Sequence, residues 1–306
     1  MKVLVTGGAG FIGGHLVRRL CDDGHEVVVL DDFSTGHPEN LEGTSVTLVE
    51  GDVRDRDTVR EALVGVEGIL HHAALVSVPE SVAHPKKSRA INERGTARVL
   101  EEAHIAGVQR VVFASSSAVY GDTRQIPTPE IAPTHPLSPY GTHKLNSENF
   151  CRITSESGGP DCVSFRYFNI YGPGQRADSP YAAVIPIFRS LCRQGEKPVI
   201  YGDGSQVRDF VFVGDVVEAN MRALMSPTPW RGLVMNLGSG VGTTIGELAA
   251  LIMELEGMPG PPEHQPARIG DIHRSVADVG RLQRSLGWQP RTTIRQGLEE
   301  LEGASR

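Results

Sequence analysis

The chain has 306 residues, with 30 lysines and arginines against 37 aspartates and glutamates and a formal net charge of −7. That length supports a large core in one or two domains, and the acidic balance argues against nonspecific nucleic-acid or anionic-membrane partners while leaving room for a local anion site. Four cysteines, Cys21, Cys151, Cys162 and Cys192, stand far apart without a CxxC, so no thiolate metal site or disulfide framework is expected and a reducing compartment fits.

Val3 to Thr6 is a short β-branched run ending in Gly7-Gly8-Ala9-Gly10. Phe11, Ile12, Leu16, Val17 and Leu20 then recur at helical spacing up to Gly24, which reads as strand, tight turn and helix. The apolar stretch Val3 to Val5 is too short for a signal-peptide core, and no charge-free run approaches the length of a membrane span, so a cytoplasmic protein without membrane contact is expected. Val27 to Leu30 is apolar without alternation, as in a sheet covered on both faces, and ends at Asp31-Asp32. Further strands are predicted at 46–49, 69–71, 111–114 and 163–167, with helices at 55–64, 89–106 and 142–157. Repeated alternation of this kind predicts an α/β fold with a mostly parallel sheet between two helical layers.

Beyond residue 168 the pattern loosens, and Gly172-Pro173-Gly174, Pro186 and Pro198 break it into short elements. No long linker intervenes, so a smaller cap built on the first domain is expected. Phe210 to Val213 followed by 214–225 reads as one more strand and helix returning to the main sheet. Residues 244–256 predict an amphipathic helix and 257–270 a loop rich in proline and glycine. The division that follows is 1–168 plus about 208–235 for the first domain, and about 169–207 plus 236–306 for the second.

Gly7, Gly10 and Gly13 form GxxGxxG between the predicted strand and helix. A side chain there would block close approach of a pyrophosphate or of the helix, whose N-terminus supplies amide donors to an anion. Asp31 follows Gly7 by 24 residues, at the end of the second strand, where a carboxylate can accept from adenosine ribose hydroxyls. The same carboxylate would repel a 2′-phosphate, and Asp31-Asp32-Phe33-Ser34 has no neighbouring cation, so NAD is favoured over NADP. Asp52 and Val53, after the third strand, are candidates for the adenine edge; a simple strand-terminating turn is the alternative.

Tyr140 and Lys144 are four apart in SPYGTHK, which on a helix puts phenol and ammonium on one face. A nearby cation lowers a phenol's pKa, so Tyr140 is expected to act as a base toward a hydroxyl. Ser115, Ser116 and Ser117 close the strand at 111–114 at its carboxyl end, where open α/β sheets place their sites.

The motifs VTGGAGFIGGHL, LDDFSTG, GDVRD, HHAA, SSSAVYGD, SPYGTHK, RYFNIYGPGQ, GDGSQVRDFVFVGDV and ARIGDI, together with Asn92, run through almost the whole chain. On these the sequence resembles the extended short-chain dehydrogenase/reductases of the NAD-dependent epimerase/dehydratase type, nearest to nucleotide-sugar epimerases of the UDP-glucose 4-epimerase kind. The resemblance implies a Rossmann-type doubly wound sheet that grips NAD as a recycled cofactor, with a smaller C-terminal α/β domain binding a UDP-sugar. It makes Tyr140 the base, Lys144 its ribose-bridging partner and Ser116 the catalytic hydroxyl. The cofactor contacts it implies are Gly7, Gly10, Phe11, Ile12, Gly13, Asp31, Asp32, Asp52, Val53, Ala73, Ala74, Asn92, Tyr140, Lys144 and Tyr167. The substrate contacts are Ser116, Ser117, Tyr140, Asn169, Arg208, Arg268, Asp271 and Ser275. Arg208 makes sense unaided, because a guanidinium fork suits phosphate oxygens.

Dehydratases and decarboxylases of this family carry carboxylates directly after the catalytic hydroxyl; here Ser117 and Ala118 stand there. A uronate 4-epimerase is an alternative, with Gln175, Arg176 and Ser179 able to meet a carboxylate. Ser275, where some relatives carry a bulky tyrosine, leaves room for an N-acetyl group. A noncatalytic dinucleotide sensor is the alternative from a different class. His71 and His72 lack a third ligand at workable spacing, so no metal is expected. The resemblance also suggests a homodimer through the helices at 89–106 and 142–157.

Overall fold

The computed structural model describes residues 1–176, 183–268 and 270–303. Its first half is β1 (Lys2–Thr6), α1 (Phe11–Asp22), β2 (Glu26–Asp31), β3 (Val46–Glu50), α2 (Arg56–Ala62), β4 (Gly68–His71), α3 (Val78–Ala83), α4 (Pro85–Arg89), a π-helical turn (Ala90–Gly95), α5 (Thr96–Ala106), β5 (Arg110–Ser116), α6 (Pro139–Glu156) and β6 (Asp161–Tyr167). The rest comprises β7 (Asn169–Tyr171), α7 (Val184–Arg193), β8 (Val199–Tyr201), β9 (Val207–Phe212), α8 (Val213–Met225), β10 (Leu233–Leu237), β11 (Gly242–Thr244), α9 (Ile245–Leu255), β12 (Glu263–Gln265), β13 (Arg274–Ser275), α10 (Gly280–Leu286) and α11 (Ile294–Gly303).

Seven strands form one sheet in the order β10-β6-β5-β4-β1-β2-β3, and every pair in it is parallel. Successive residues of a strand point to opposite faces. Val3 and Val5 accordingly pack with Leu16, Leu20 and Val216 from α1 and α8, while Leu4 packs with Val59, Val99 and Leu100 from α2 and α5. Two buried faces explain why these strands read as unbroken apolar runs. The reversal of strand order between β1 and β4 opens the crevice in which doubly wound folds bind their ligands.

The second half is a cap. β9 pairs with β7, β11 and β13 in a four-stranded sheet, and β8 pairs with β12. Tyr171, Phe188, Ile200, Phe210, Leu248 and Ile252 form its core under α7, α9 and α11. α9 starts at a capping box in which Thr244 and Glu247 bond each other's backbone N–H.

Three local expectations change. The strand at 207–212 lies in the cap sheet; α8 and β10 make the return to the main sheet. Phe210 and Phe212 belong to the cap core, so the apolar run has a different destination from the one its composition suggests. The loop at 257–270 contains β12, whose three exposed residues Glu263, His264 and Gln265 carry no hydrophobic period to detect. The helix predicted at 89–106 is α4, the π-helical turn and α5 in series. No helix among the described residues is long and apolar enough to cross a membrane.

The sharpest steric constraint is at the start of α1. A Cβ on Gly13 would stand 2.0 Å from the Gly7 carbonyl oxygen and 2.8 Å from Gly8 Cα, both backbone atoms that cannot rotate away. Gly13→Ala should therefore displace α1 from β1 and lower stability by about 1–3 kcal/mol, as overpacking does. Urea unfolding measures this, and an unchanged midpoint would contradict the close approach.

Candidate active site

The residues expected to meet a cofactor are gathered at strand ends. Gly7 closes β1 with φ +70°, and a Cβ there would lie 2.7 Å from Ala73 N, so the turn after β1 presses directly on the segment after β4. Gly10 is the N-cap of α1, with Phe11 and Ile12 as its first helical residues. Asp31, buried at the end of β2, accepts from Ala9 N and Phe33 N, both at 2.9 Å. Burial raises its carboxyl above the ordinary value, and these two bonds act in the opposite direction. Asp32 is exposed and accepts from Ser34. Asp52 is occupied by the Arg54 guanidinium, which holds its carboxyl below the ordinary range, and Val53 is buried against Gly95.

Thr6 ties this edge together. Its hydroxyl accepts from His72 N and Ala73 N at 3.2 Å and lies 2.6 Å from His71 Nδ1. Asn92 acts one step further out: its amide oxygen accepts from Leu75 N at 2.7 Å and its nitrogen donates to Leu75 O at 2.9 Å, which holds the segment that follows Ala73 and Ala74. Tyr167 donates to Asn220 Oδ1 and lies 3.0 Å from His72 Nε2. His71 and His72 are each pushed down to about 3 by burial, with Lys144 adding to the effect, so both rings are neutral at physiological pH. His72 Nδ1 is buried without a partner. A glycine-rich turn at a helix N-terminus, a strand-end carboxylate and an unpaired buried imidazole nitrogen together fit a bound dinucleotide.

Ser116 ends β5, and its Oγ accepts from Ala118 N at 3.2 Å; Ser117 opens the short helical turn that follows. α6 begins at Pro139, earlier than predicted, because Ser138 Oγ caps Gly141 N at 3.1 Å and proline suits a first helical turn. Ser81 Oγ accepts from Tyr140 N at 3.2 Å and so anchors the same turn. Tyr140 and Lys144 are both buried, on one face of α6. Burial raises the Tyr140 phenol above its ordinary value, and a hydrogen bond with the Ser116 hydroxyl pulls the other way. The expected lowering by Lys144 is not what the structure shows. The ammonium, 5.9 Å from the Tyr140 ring centroid, is turned to the Ala114 carbonyl at 2.7 Å and lies over Phe113. Burial pushes Lys144 down to about 8, against the pull of Cys151 and Glu148.

A second cavity lies under the cap. Asn169, Gln175, Tyr201, Arg208, Arg268 and Asp271 line it beside Ile185 and Phe188. Arg208 Nη2 donates to Asp271 Oδ1 at 2.5 Å, and the Arg268 guanidinium stacks on the Tyr201 ring at 3.8 Å. Asn169, Arg208, Arg268 and Asp271 are thus brought together from three separate stretches of chain. Ser275 is the register partner of Arg208 across the β13–β9 pair. Gln175 Nε2 donates to the Ile170 carbonyl, and Ser179 lies outside the described residues. Tyr201 and Gln206 escaped the sequence reading because neither sits in a periodic or spaced pattern. Glu148 had a readable signal, four residues beyond Lys144.

The chain matches the NAD-dependent epimerase/dehydratase family over residues 3–238. It is 41% identical to a UDP-glucose 4-epimerase of Mycolicibacterium smegmatis over 304 residues, covering 97% of this chain and 96% of that one. It is similar in structure to the UDP-glucose 4-epimerase of Thermotoga maritima solved with UDP-glucose, with a TM-score of 0.95, 36% identity and coverage of 100% and 99% of the two chains. A UDP-N-acetylglucosamine 4-epimerase from Methanobrevibacter ruminantium, solved with UDP-N-acetylmuramic acid, gives a TM-score of 0.92, 36% identity and coverage of 99% and 98%.

The depressed Lys144 value makes a pH prediction. A lysine whose folded pKa lies below its unfolded one binds fewer protons when folded, so its contribution to stability improves as pH rises from about 8 toward the ordinary lysine range. In cofactor-free protein labelled with 13C-lysine, the resonance that disappears in Lys144→Met should titrate near pH 8. A midpoint above 10 would refute the buried placement.

Proposed function

The chain belongs to the NAD-dependent epimerase/dehydratase family, and from that premise we propose that it interconverts UDP-hexoses epimeric at C4, UDP-glucose and UDP-galactose. The observation that carries this reading is the meeting of Tyr140, Lys144 and Ser116 at the carboxyl edge of the sheet, followed by Ser117 and Ala118 where a dehydratase would need carboxylates.

Tyr140 is the group placed to take the proton of the sugar 4-hydroxyl, and Ser116, whose hydrogen bond draws the phenol down against the rise that burial imposes, is placed to bond the same oxygen. With NAD held by the glycine turn, Asp31 and Lys144, the cofactor would supply reversible hydride acceptance at C4, and Tyr140 would hold the hydroxyl proton in the meantime and return it when C4 is reduced again. No net oxidation occurs. Lys144 has donors left beyond its bond to Ala114, and these suit the ribose hydroxyls of NAD. The turn at Gly7, Gly10 and Gly13 takes the pyrophosphate and Asp31 the adenosine ribose, with Asp32 and Val53 at that end and Ala73, Ala74 and Tyr167 further along the strand ends toward Tyr140. Asn169, Arg208 and Arg268 hold the diphosphate end of UDP. Asp271 already occupies Arg208, so a diphosphate bonded there competes with that carboxylate. The small side chain of Ser275 supports entry of N-acetylhexosamines as well.

Purified protein incubated without added NAD with UDP-glucose, UDP-galactose, UDP-N-acetylglucosamine or UDP-glucuronate should yield 4-epimers of the hexoses by anion-exchange chromatography. Turnover of UDP-glucuronate alone would transfer the assignment to a uronate epimerase. Bound NAD with no turnover would leave a dinucleotide sensor. Tyr140→Phe should retain NAD and lose about 10²–10⁴ in kcat, the usual worth of a positioned acid–base group; full activity would refute the mechanism. Ser275→Tyr should lower kcat/KM for UDP-N-acetylglucosamine at least tenfold relative to UDP-glucose, roughly the discrimination one steric group supplies.

We also propose a homodimer through α5 and α6. Leu100, Phe150 and Ile153 line a groove between them, and Ile153 and Ile105 are 49% and 64% exposed. Sedimentation equilibrium should give twice the chain mass, and Ile153→Glu should halve it.

A further inference from the structure

Tyr140, Lys144 and Glu148 follow one another at four-residue intervals along one face of α6. Glu148 is 4% exposed, and both its oxygens are taken. Arg166 Nε donates to Oε1 at 2.9 Å and Arg166 Nη2 to Oε2 at 2.7 Å, a two-point fork. Ser115 Oγ donates to Oε1 at 2.5 Å. Ser115 precedes Ser116 on β5, and Arg166 precedes Tyr167 on β6. One carboxylate therefore joins the helix that carries Tyr140 and Lys144 to both strand ends that face them.

Arg166 is itself held in place. Its guanidinium lies 4.7 Å from the centroid of the Tyr120 ring, its Nη1 donates to the Glu130 carbonyl at 3.2 Å, and the Tyr120 hydroxyl donates to Asn236 Oδ1 at 2.6 Å. Both Glu148 oxygens are engaged by Arg166 and Ser115 inside the fold, with none turned to an open site. We propose that Glu148 is a positioning residue for the reaction assigned above: its bonds to Ser115 and Arg166 fix the separation between the Ser116 hydroxyl and the Tyr140 phenol. The proposal rests on that reading of the site.

The physical reason is direction. Apolar packing of α6 on β5 and β6 through Cys151, Phe113 and Cys162 favours contact without choosing a register. Charge-assisted forked bonds are short and angular, and they do choose one. As a pure contributor to stability a buried ion pair is weak, because apolar residues of similar volume replace such pairs at little cost, whereas removing one partner strands the other. Stability and positioning can therefore be separated by experiment.

The variants are Ser115→Ala, Glu148→Gln and the double replacement Glu148→Met with Arg166→Met, each compared with the parent for thermal midpoint, NAD content, kcat, KM and crystal structure. Glu148→Gln should lose about 10- to 100-fold in kcat, the scale expected for sub-ångström misplacement, with KM within about threefold and NAD retained. Ser115→Ala should show a smaller loss of the same kind. The double variant should regain the parent's thermal midpoint and keep the kcat defect, with the Ser116 Oγ to Tyr140 Oη separation changed by about 0.5 Å or more. Recovery of kcat together with the midpoint, or an unchanged separation in Ser115→Ala and the double variant, overturns the proposal. If the parent converts no nucleotide sugar, the reading of the reaction fails by itself, and the crystallographic separation still decides the role of Glu148. Should Glu148→Gln not fold, Ser115→Ala and the double variant carry the test.

Discussion

Seven strands that run the same way must all end at the same edge, and the rest of this molecule is arranged around that edge. Gly7, Asp31, Ala73, Ser116 and Tyr167 are distant in sequence and share one edge of the sheet because each ends a parallel strand or follows one within two residues. The crowding that results explains where side chains are missing. β1 and β4 come so close at their ends that Gly7 meets Ala73 backbone to backbone, and α1 leaves β1 so sharply that Gly13 meets Gly7. Thr6 then satisfies the amides that this crowding brings together.

The cap uses the same device with a carboxylate in place of a hydroxyl. Asp209, fully buried beside Arg208, accepts from Ser239 N and Oγ at 2.6 Å and from Gly240 N and Ala277 N at 3.0 Å. Burial raises its carboxyl above the ordinary value, and the four bonds act against that rise. Two other chain segments converge on it, and Gly238 has no room for a Cβ because Asp209 Oδ2 would stand 2.5 Å away. The strand that presents Arg208 to the cavity is thus fixed by a buried polar group. Such groups are costly unless fully bonded, so their bonding geometry is narrowly specified.

Electrostatics divide the site into two regimes. Under the cap, Arg208 and Arg268 concentrate positive charge in an acidic protein, and Asp271 and the Tyr201 ring occupy those guanidinium groups. At the sheet edge burial dominates. It keeps His71 and His72 neutral, raises the Tyr140 phenol and depresses Lys144, so these four titratable groups sit in surroundings that disfavour charge on each of them.

Much of this was legible in the residues. The apolar runs with their βα alternation predicted the parallel sheet, the glycine spacing predicted the tight turn between β1 and α1 with Asp31 at the end of β2, and the spacing of Tyr140 and Lys144 predicted a shared helix face. Those features are local, set by the periods of strand and helix and by steric demands within a few residues. The destination of Phe210 and Phe212, the pairing of β12, the turning of Lys144 to Ala114 rather than to the phenol, the pairing of Arg208 with Asp271 and the grip of Glu148 on Arg166 and Ser115 were decided only by tertiary structure. Each depends on which distant segment supplies the partner for a buried or charged group, and no period or spacing along the chain encodes that choice.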